Sequence, residues 1–144
     1  MSAQEATLIA AAIAALSSVV TLFLNARFAL LKEQRLLLWQ KELDRLLETE
    51  ELAGQAQELA KSYSGPEVLK EEFPPLHDQL RQRAGRLGRY PELVQALRDL
   101  NHACAGTVSE KIESGISDEW QRKISPAFEA FLSECDKITQ RKTT

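Results

Sequence analysis

The chain has 144 residues, with 18 Lys and Arg against 21 Asp and Glu and a formal net charge of −3. That length leaves room for one modest domain and not for several, and the near-neutral balance argues against bulk, charge-driven nucleic-acid binding. The mean hydropathy is slightly negative, yet no Lys or Arg precedes Arg27 and no acid other than Glu5 does. The apolarity is therefore concentrated at the N-terminus.

Ala6 to Leu24 is an uninterrupted uncharged run. At about 1.5 Å rise per residue a helix over it spans roughly 28 Å, close to the ~30 Å hydrocarbon core of a bilayer. A cleaved signal peptide needs a positive leading region and small residues before the cut. Here Glu5 is the one early charge, and Leu24 falls two residues before Ala26 at the best-placed cut. A buried soluble helix of this length is expected to carry charges on one face. The run is read as a transmembrane helix within a first segment, 1–26, that also holds a short external tail.

The flanks set an orientation. Arg27, Lys32, Arg35, Lys41 and Arg45 follow the run and no basic residue precedes it. By the positive-inside tendency the N-terminus lies outside and the remainder is cytoplasmic, in a single-pass protein of the inner (plasma) membrane.

Thr7, Ala11, Ala14, Ser18, Thr21 and Asn25 recur alternately four and three residues apart. On a helix they stack into a stripe of small or weakly polar residues, opposite Ile9, Leu16, Val20 and Phe23. Association of helices in lipid relies on close approach and side-chain hydrogen bonds, and this coiled-coil-like period suits a parallel homo-oligomer. Two other readings stand beside it. The hydroxyls bond back to their own helix in a lone anchor, or the stripe lines a water-filled pore.

Residues 27–64 are expected to form a long juxtamembrane amphipathic helix, continuous with the membrane helix or joined to it by a kink. Leu36, Trp39, Leu43 and Leu46 mark its packing and interaction face. Leu30, Leu31, Leu37 and Leu38 fall off that stripe, which suggests further contact with lipid, another chain or another helix.

The third segment, 65–144, holds the remaining helices. Gly65 and Pro66 stop and restart the chain. A short helix is predicted from Pro66 to Glu72, then a break at Pro74, with Pro75 as the first residue of a new helix. Leu76, Leu80, Ala84 and Leu87 form that helix's apolar stripe, and Gly88 and Pro91 bracket its end. The period Leu93, Val94, Leu97, Leu100, Cys104, Val108 and Ile112 runs through Gly106 to about Ser114, with Gly115 as C-cap. Ser117, Asp118 and Glu119 open a last helix with Trp120, Ile124, Phe128, Phe131, Leu132, Cys135 and Ile138 at core spacing. There Pro126 either kinks the helix or marks a fresh start. The fold class is all-α: one N-terminal transmembrane helix and a small antiparallel helical bundle, with 27–144 as one domain.

Arg81, Arg83, Arg86 and Arg89 occur with no acid between Asp78 and Glu92. They fan out opposite the Leu76 stripe and form a candidate contact for anionic lipid headgroups. The plainer reading is a solvated face balanced by Glu71, Glu72, Asp78 and Glu92. Cys104 and Cys135 lie on apolar stripes and read as small buried hydrophobes. His102, two residues from Cys104, lacks zinc-ligand spacing. Glu67, Glu71 and Glu72 sit in a charged, exposed setting with no reason for shifted acidity.

Nucleotide, hydrolase and zinc-protease motifs are absent, and no residue-level motif ties the chain to a family. No catalytic residue, metal or cofactor is assigned, and no enzymatic activity is expected. The function expected is a membrane-anchored helical interaction or scaffold protein whose partners are the bilayer, further copies of itself and an unidentified protein. Nucleic acid is not among the expected partners. The alternative is a small pore-forming or membrane-perturbing protein of the toxin or holin type, assembled through its transmembrane helix.

Overall fold

Ser2 and Glu5 start the first helix by bonding reciprocally. The Ser2 backbone N–H donates to Glu5 Oε2 at 3.0 Å, and the Glu5 N–H donates to Ser2 Oγ at 3.2 Å. This is a capping box, which satisfies two of the donors that a helix start leaves open. The Ser-x-x-Glu signature for it stands in the sequence at positions 2–5 and precedes the apolar run.

The structure, a computed structural model, describes residues 2–62 and 64–143. It contains four helices and, among the described residues, no strand: α1 (Ala3–Lys61), α2 (Pro66–Arg86), α3 (Pro91–Ser114) and α4 (Asp118–Thr143). The chain divides into two compact units, Met1–Glu42 and Leu43–Thr144.

In the first unit α1 carries the apolar run, and residues 3–38 are all exposed. Leu8, Leu16, Leu22, Phe23 and Phe28 are among them, each about two-thirds accessible. Among the described residues this is the one helix long and apolar enough to span a membrane, and none of its apolar window is buried.

The second unit holds the buried core. The end of α1 contributes Leu46, Thr49, Ala53, Ala56 and Ala60, all buried. Three of these are alanines, which let neighbouring side chains approach the helix backbone closely. Phe131, Leu69, Leu80, Leu93, Leu97, Leu100 and Ile124 are the largest fully buried apolar side chains. Helix α3 packs against both α2 and α4. Lys111 Nζ donates to the carbonyls of Ala60 (2.5 Å) and Ser62 (3.1 Å), so a cation of α3 closes the C-terminal end of α1. Cations are favoured there because the last carbonyls of a helix carry partial negative charge and lack intrahelical donors.

The turns fall where glycine and proline place them. Pro91 is in the first turn of α3, where its missing N–H removes no intrahelical bond. Gly115 ends α3 at φ 78°, and its N–H donates to the Lys111 carbonyl at 2.9 Å. A residue with a Cβ is strained in that left-handed conformation. Ser117 is buried, and its hydroxyl donates to Glu110 Oε2 at 2.7 Å, tying the α3–α4 turn back onto α3.

The predicted break at Pro74 is not present: α2 runs through both prolines. Two prolines deny bonds to the carbonyls of Lys70 and Glu71, but Lys70, Glu71, Pro74 and Pro75 are all exposed, so water reaches that face. Leu69 and Phe73 before the pair and Leu80 after it are buried, and this packing holds the helix across the two missing bonds. Pro126 likewise lies inside α4, on an exposed face.

Candidate functional site

Thr7, Ala11, Ala14, Ser18, Thr21 and Asn25 all lie exposed on α1 in the first unit. Thr7 Oγ1 donates to the Ala3 carbonyl (2.8 Å), Ser18 Oγ to Ala14 (3.0 Å) and Thr21 Oγ1 to Ser17 (2.8 Å). The hydroxyl protons thus face their own helix, the back-bonded arrangement available to Ser and Thr in helix interiors. The stripe presents small groups and hydroxyl oxygens with these protons already directed inward, which suits it to a medium that cannot donate or accept hydrogen bonds.

Leu36, Trp39, Leu43 and Leu46, expected to share one packing face, fall in different settings. In the first unit Leu36 is exposed and Trp39 half-buried; in the second, Leu43 is half-buried and Leu46 fully buried. Leu46 is a core residue. Leu30, Leu31, Leu37 and Leu38 are exposed.

The four arginines do not form one cluster. Arg83 is half-buried, and its Nη1 lies 2.7 Å from Glu48 Oε2, an ion pair between α2 and the end of α1. Arg86 is exposed at the last turn of α2. Arg89, in the α2–α3 turn, lines a smaller depression of about 190 Å³ with Tyr90, Glu92, Glu134, Lys137 and Arg141. Arg81 faces a different space, a groove between α2 and α3.

That groove has a volume of about 520 Å³. One wall carries His77, Arg81 and Gly85, spaced one helical turn apart on α2; the other carries Arg98, Asn101 and His102 on α3. Leu80, Ala84 and Leu97 line its base and are buried. Asn101 is itself buried and joins the walls: His77 Nδ1 donates to Asn101 Oδ1 at 2.9 Å, and Asn101 Nδ2 reaches the His77 carbonyl at 3.4 Å. No carboxylate lines the groove among the described residues. Arg98, Asn101 and His102 were not singled out from the sequence as site residues, although their spacing places them on one helix face. The wall that makes them a site comes from α2 and is set by tertiary packing.

Cys104 and Cys135 are buried free thiols. Burial pushes the Cys104 thiol up to about 12. Burial, and then the nearby Glu50 carboxylate, raise Cys135 as well. A thiol held protonated at neutral pH is neither a nucleophile nor a ready metal ligand. His102 packs nearly perpendicular to Trp120, with ring centroids 5.2 Å apart at 82°. Glu67, Glu71 and Glu72 are exposed on α2. Among the described residues no three His, Cys, Asp or Glu side chains are grouped to hold a metal ion.

No protein-family model, no curated protein and no solved structure matches this chain.

Proposed function

We propose that this protein is a single-pass membrane-anchored helical scaffold, with its N-terminus outside and its second unit in the cytoplasm. The observation that carries the reading is the division of apolar residues along α1. Every large apolar side chain of the uncharged run is exposed, whereas the buried apolar residues begin at Leu46. Leaving such a run in water is costly, at about 25 cal/mol per Å² of apolar surface, and a bilayer removes that cost. The basic residues from Arg27 to Arg45 support the direction.

In this reading α1 crosses the membrane, and the stripe from Thr7 to Asn25 brings copies together. The second unit, read as an antiparallel bundle because its packed helices are joined by short turns, presents a surface to a protein partner. Washing membranes with alkaline carbonate tests the anchor. Retention in the pellet is expected, and release into the supernatant would refute the anchor.

A further inference from the structure

We propose that the groove between α2 and α3 binds a phosphate group, carried as a phosphomonoester by a small soluble molecule or by a lipid headgroup. Arg81 and Arg98 come from different helices and line one cavity of about 520 Å³. Among the described residues neither makes an ion pair, although acids outnumber bases in the chain. Arg83, Lys123 and Lys137 of the second unit pair with Glu48, Glu119 and Glu134. Several other cations there, Arg45, Lys70, Arg86 and Arg122 among them, have no such pair among the described residues. What distinguishes Arg81 and Arg98 is that they border one cavity together. Two guanidinium groups bordering a space that no carboxylate lines is the chemistry that recognises an oxyanion. Each planar fork can donate two parallel hydrogen bonds to neighbouring oxygens. A phosphomonoester, with its charge spread over three oxygens, offers acceptors to both.

The rest of the groove supports the same ligand. His102 and His77 add ring nitrogens to the two walls, and the paired contacts of Asn101 with His77 fix the walls at a set separation. The base of Leu80, Ala84 and Leu97 offers the ligand apolar contact and no competing charge. Gly85 borders the groove on α2, and a Cβ built there meets nothing within 4 Å, so a side chain can be added at the site without displacing another group. The four-arginine run on α2 contributes only Arg81; the second cation comes from α3. The proposal does not depend on α1 crossing a membrane.

The test uses the full chain in a neutral detergent, titrated calorimetrically with inorganic phosphate and with glycerol 3-phosphate. In parallel, its melting temperature is measured in nanodiscs of phosphatidylcholine alone and of phosphatidylcholine with phosphatidic acid. A soluble ligand predicts saturable binding in the titrations. A lipid ligand predicts a higher melting temperature only in discs containing phosphatidic acid. In the arm that responds, Arg81→Gln and Arg98→Gln should each weaken binding about tenfold or more, and Arg86→Gln, outside the groove, should leave it unchanged. Gly85→Glu leaves both arginines in place and puts a carboxylate at the wall, so it should abolish the response even if the arginine variants prove unstable. No response in either arm would overturn the proposal. So would a response that survives Gly85→Glu, or one that Arg86→Gln reduces as much as Arg81→Gln does.

Discussion

Gly106 of α3 lies directly against the indole of Trp120 on α4. A Cβ placed on Gly106 would stand 2.5 Å from Trp120 Cδ2 and Cε3 and 2.9 Å from Cε2. The indole also meets the near-perpendicular ring of His102 and Lys123 Nζ, 4.4 Å from its ring centre, so moving it away from a new Cβ disturbs both contacts. Gly106→Ala should lower stability by about 1–3 kcal/mol through overpacking, seen as a lower melting temperature by circular dichroism. Gly54, also inside a helix, has nothing within 4 Å of its Cβ position. Gly54→Ala should raise stability by about 0.5–1 kcal/mol from helix propensity alone. Opposite signs for the two substitutions are the expected outcome, and a stabilising Gly106→Ala would contradict the packing.

The buried thiols make stability depend on alkaline pH. A thiol of the unfolded chain ionises near pH 8.5, whereas Cys104 in the fold keeps its proton to about pH 12. Above the unfolded value the unfolded chain binds fewer protons than the native one. Stability is therefore whole below about pH 8.5 and falls as the pH rises towards 12, by up to about 1.4 kcal/mol per pH unit for one thiol. Denaturant midpoints measured from pH 8 to 11 should fall, and less steeply in Cys104→Ala. At neutral pH neither thiol should react with a soluble disulfide reagent until the chain unfolds.

Removing the amine of Lys111 should loosen the end of α1. Its ammonium joins the Ala60 and Ser62 carbonyls, and burial lowers its pKa. Lys111→Met retains most of the stem but leaves those acceptors without this donor, a loss of about 1–3 kcal/mol. Amide exchange over Ala56–Lys61 should quicken by at least the factor that global stability falls. Unchanged exchange there would remove the cap from the account.

The stripe on α1 predicts a pattern of crosslinking in membranes. Cysteines at Ala14 or Ser18, tested one at a time, should give disulfide-linked dimers under mild oxidation, and a cysteine at Val20 on the opposite face should not. Ser18→Leu should reduce association measured by energy transfer between labelled copies. Equal crosslinking at all three positions would exclude the stripe as the contact. Depolarisation of expressing cells, lost in Thr21→Leu, would favour a pore.

Much of the fold is legible in the residues because its punctuation is local. Gly65 with Pro66 and Gly88 with Pro91 mark boundaries because glycine is a poor helix former and proline opens a helix at no cost in hydrogen bonds. Gly115 ends α3 in a left-handed conformation that glycine accepts readily, and Gly106 is correctly read as lying within a helix. The Pro74–Pro75 pair misleads because its helix is held by Leu69, Phe73 and Leu80, and burial of that kind is set by partners distant in sequence. The same limit applies to the groove. Arg81 to Arg89 are neighbours in sequence, but the structure sends Arg83 to Glu48 and Arg89 to the α2–α3 turn. Arg81 is joined instead by Arg98, whose relation to it exists only once α2 packs on α3.

Topology in intact cells tests the central claim most directly, and the chain suits that measurement because its native thiols are buried. Ser2→Cys and Gln140→Cys variants are exposed to a membrane-impermeant maleimide before and after lysis. The account predicts that Ser2→Cys labels in intact cells and that Gln140→Cys labels only after lysis. Labelling of Gln140→Cys in intact cells, or protection of both positions until lysis, would contradict a single span with the second unit inside.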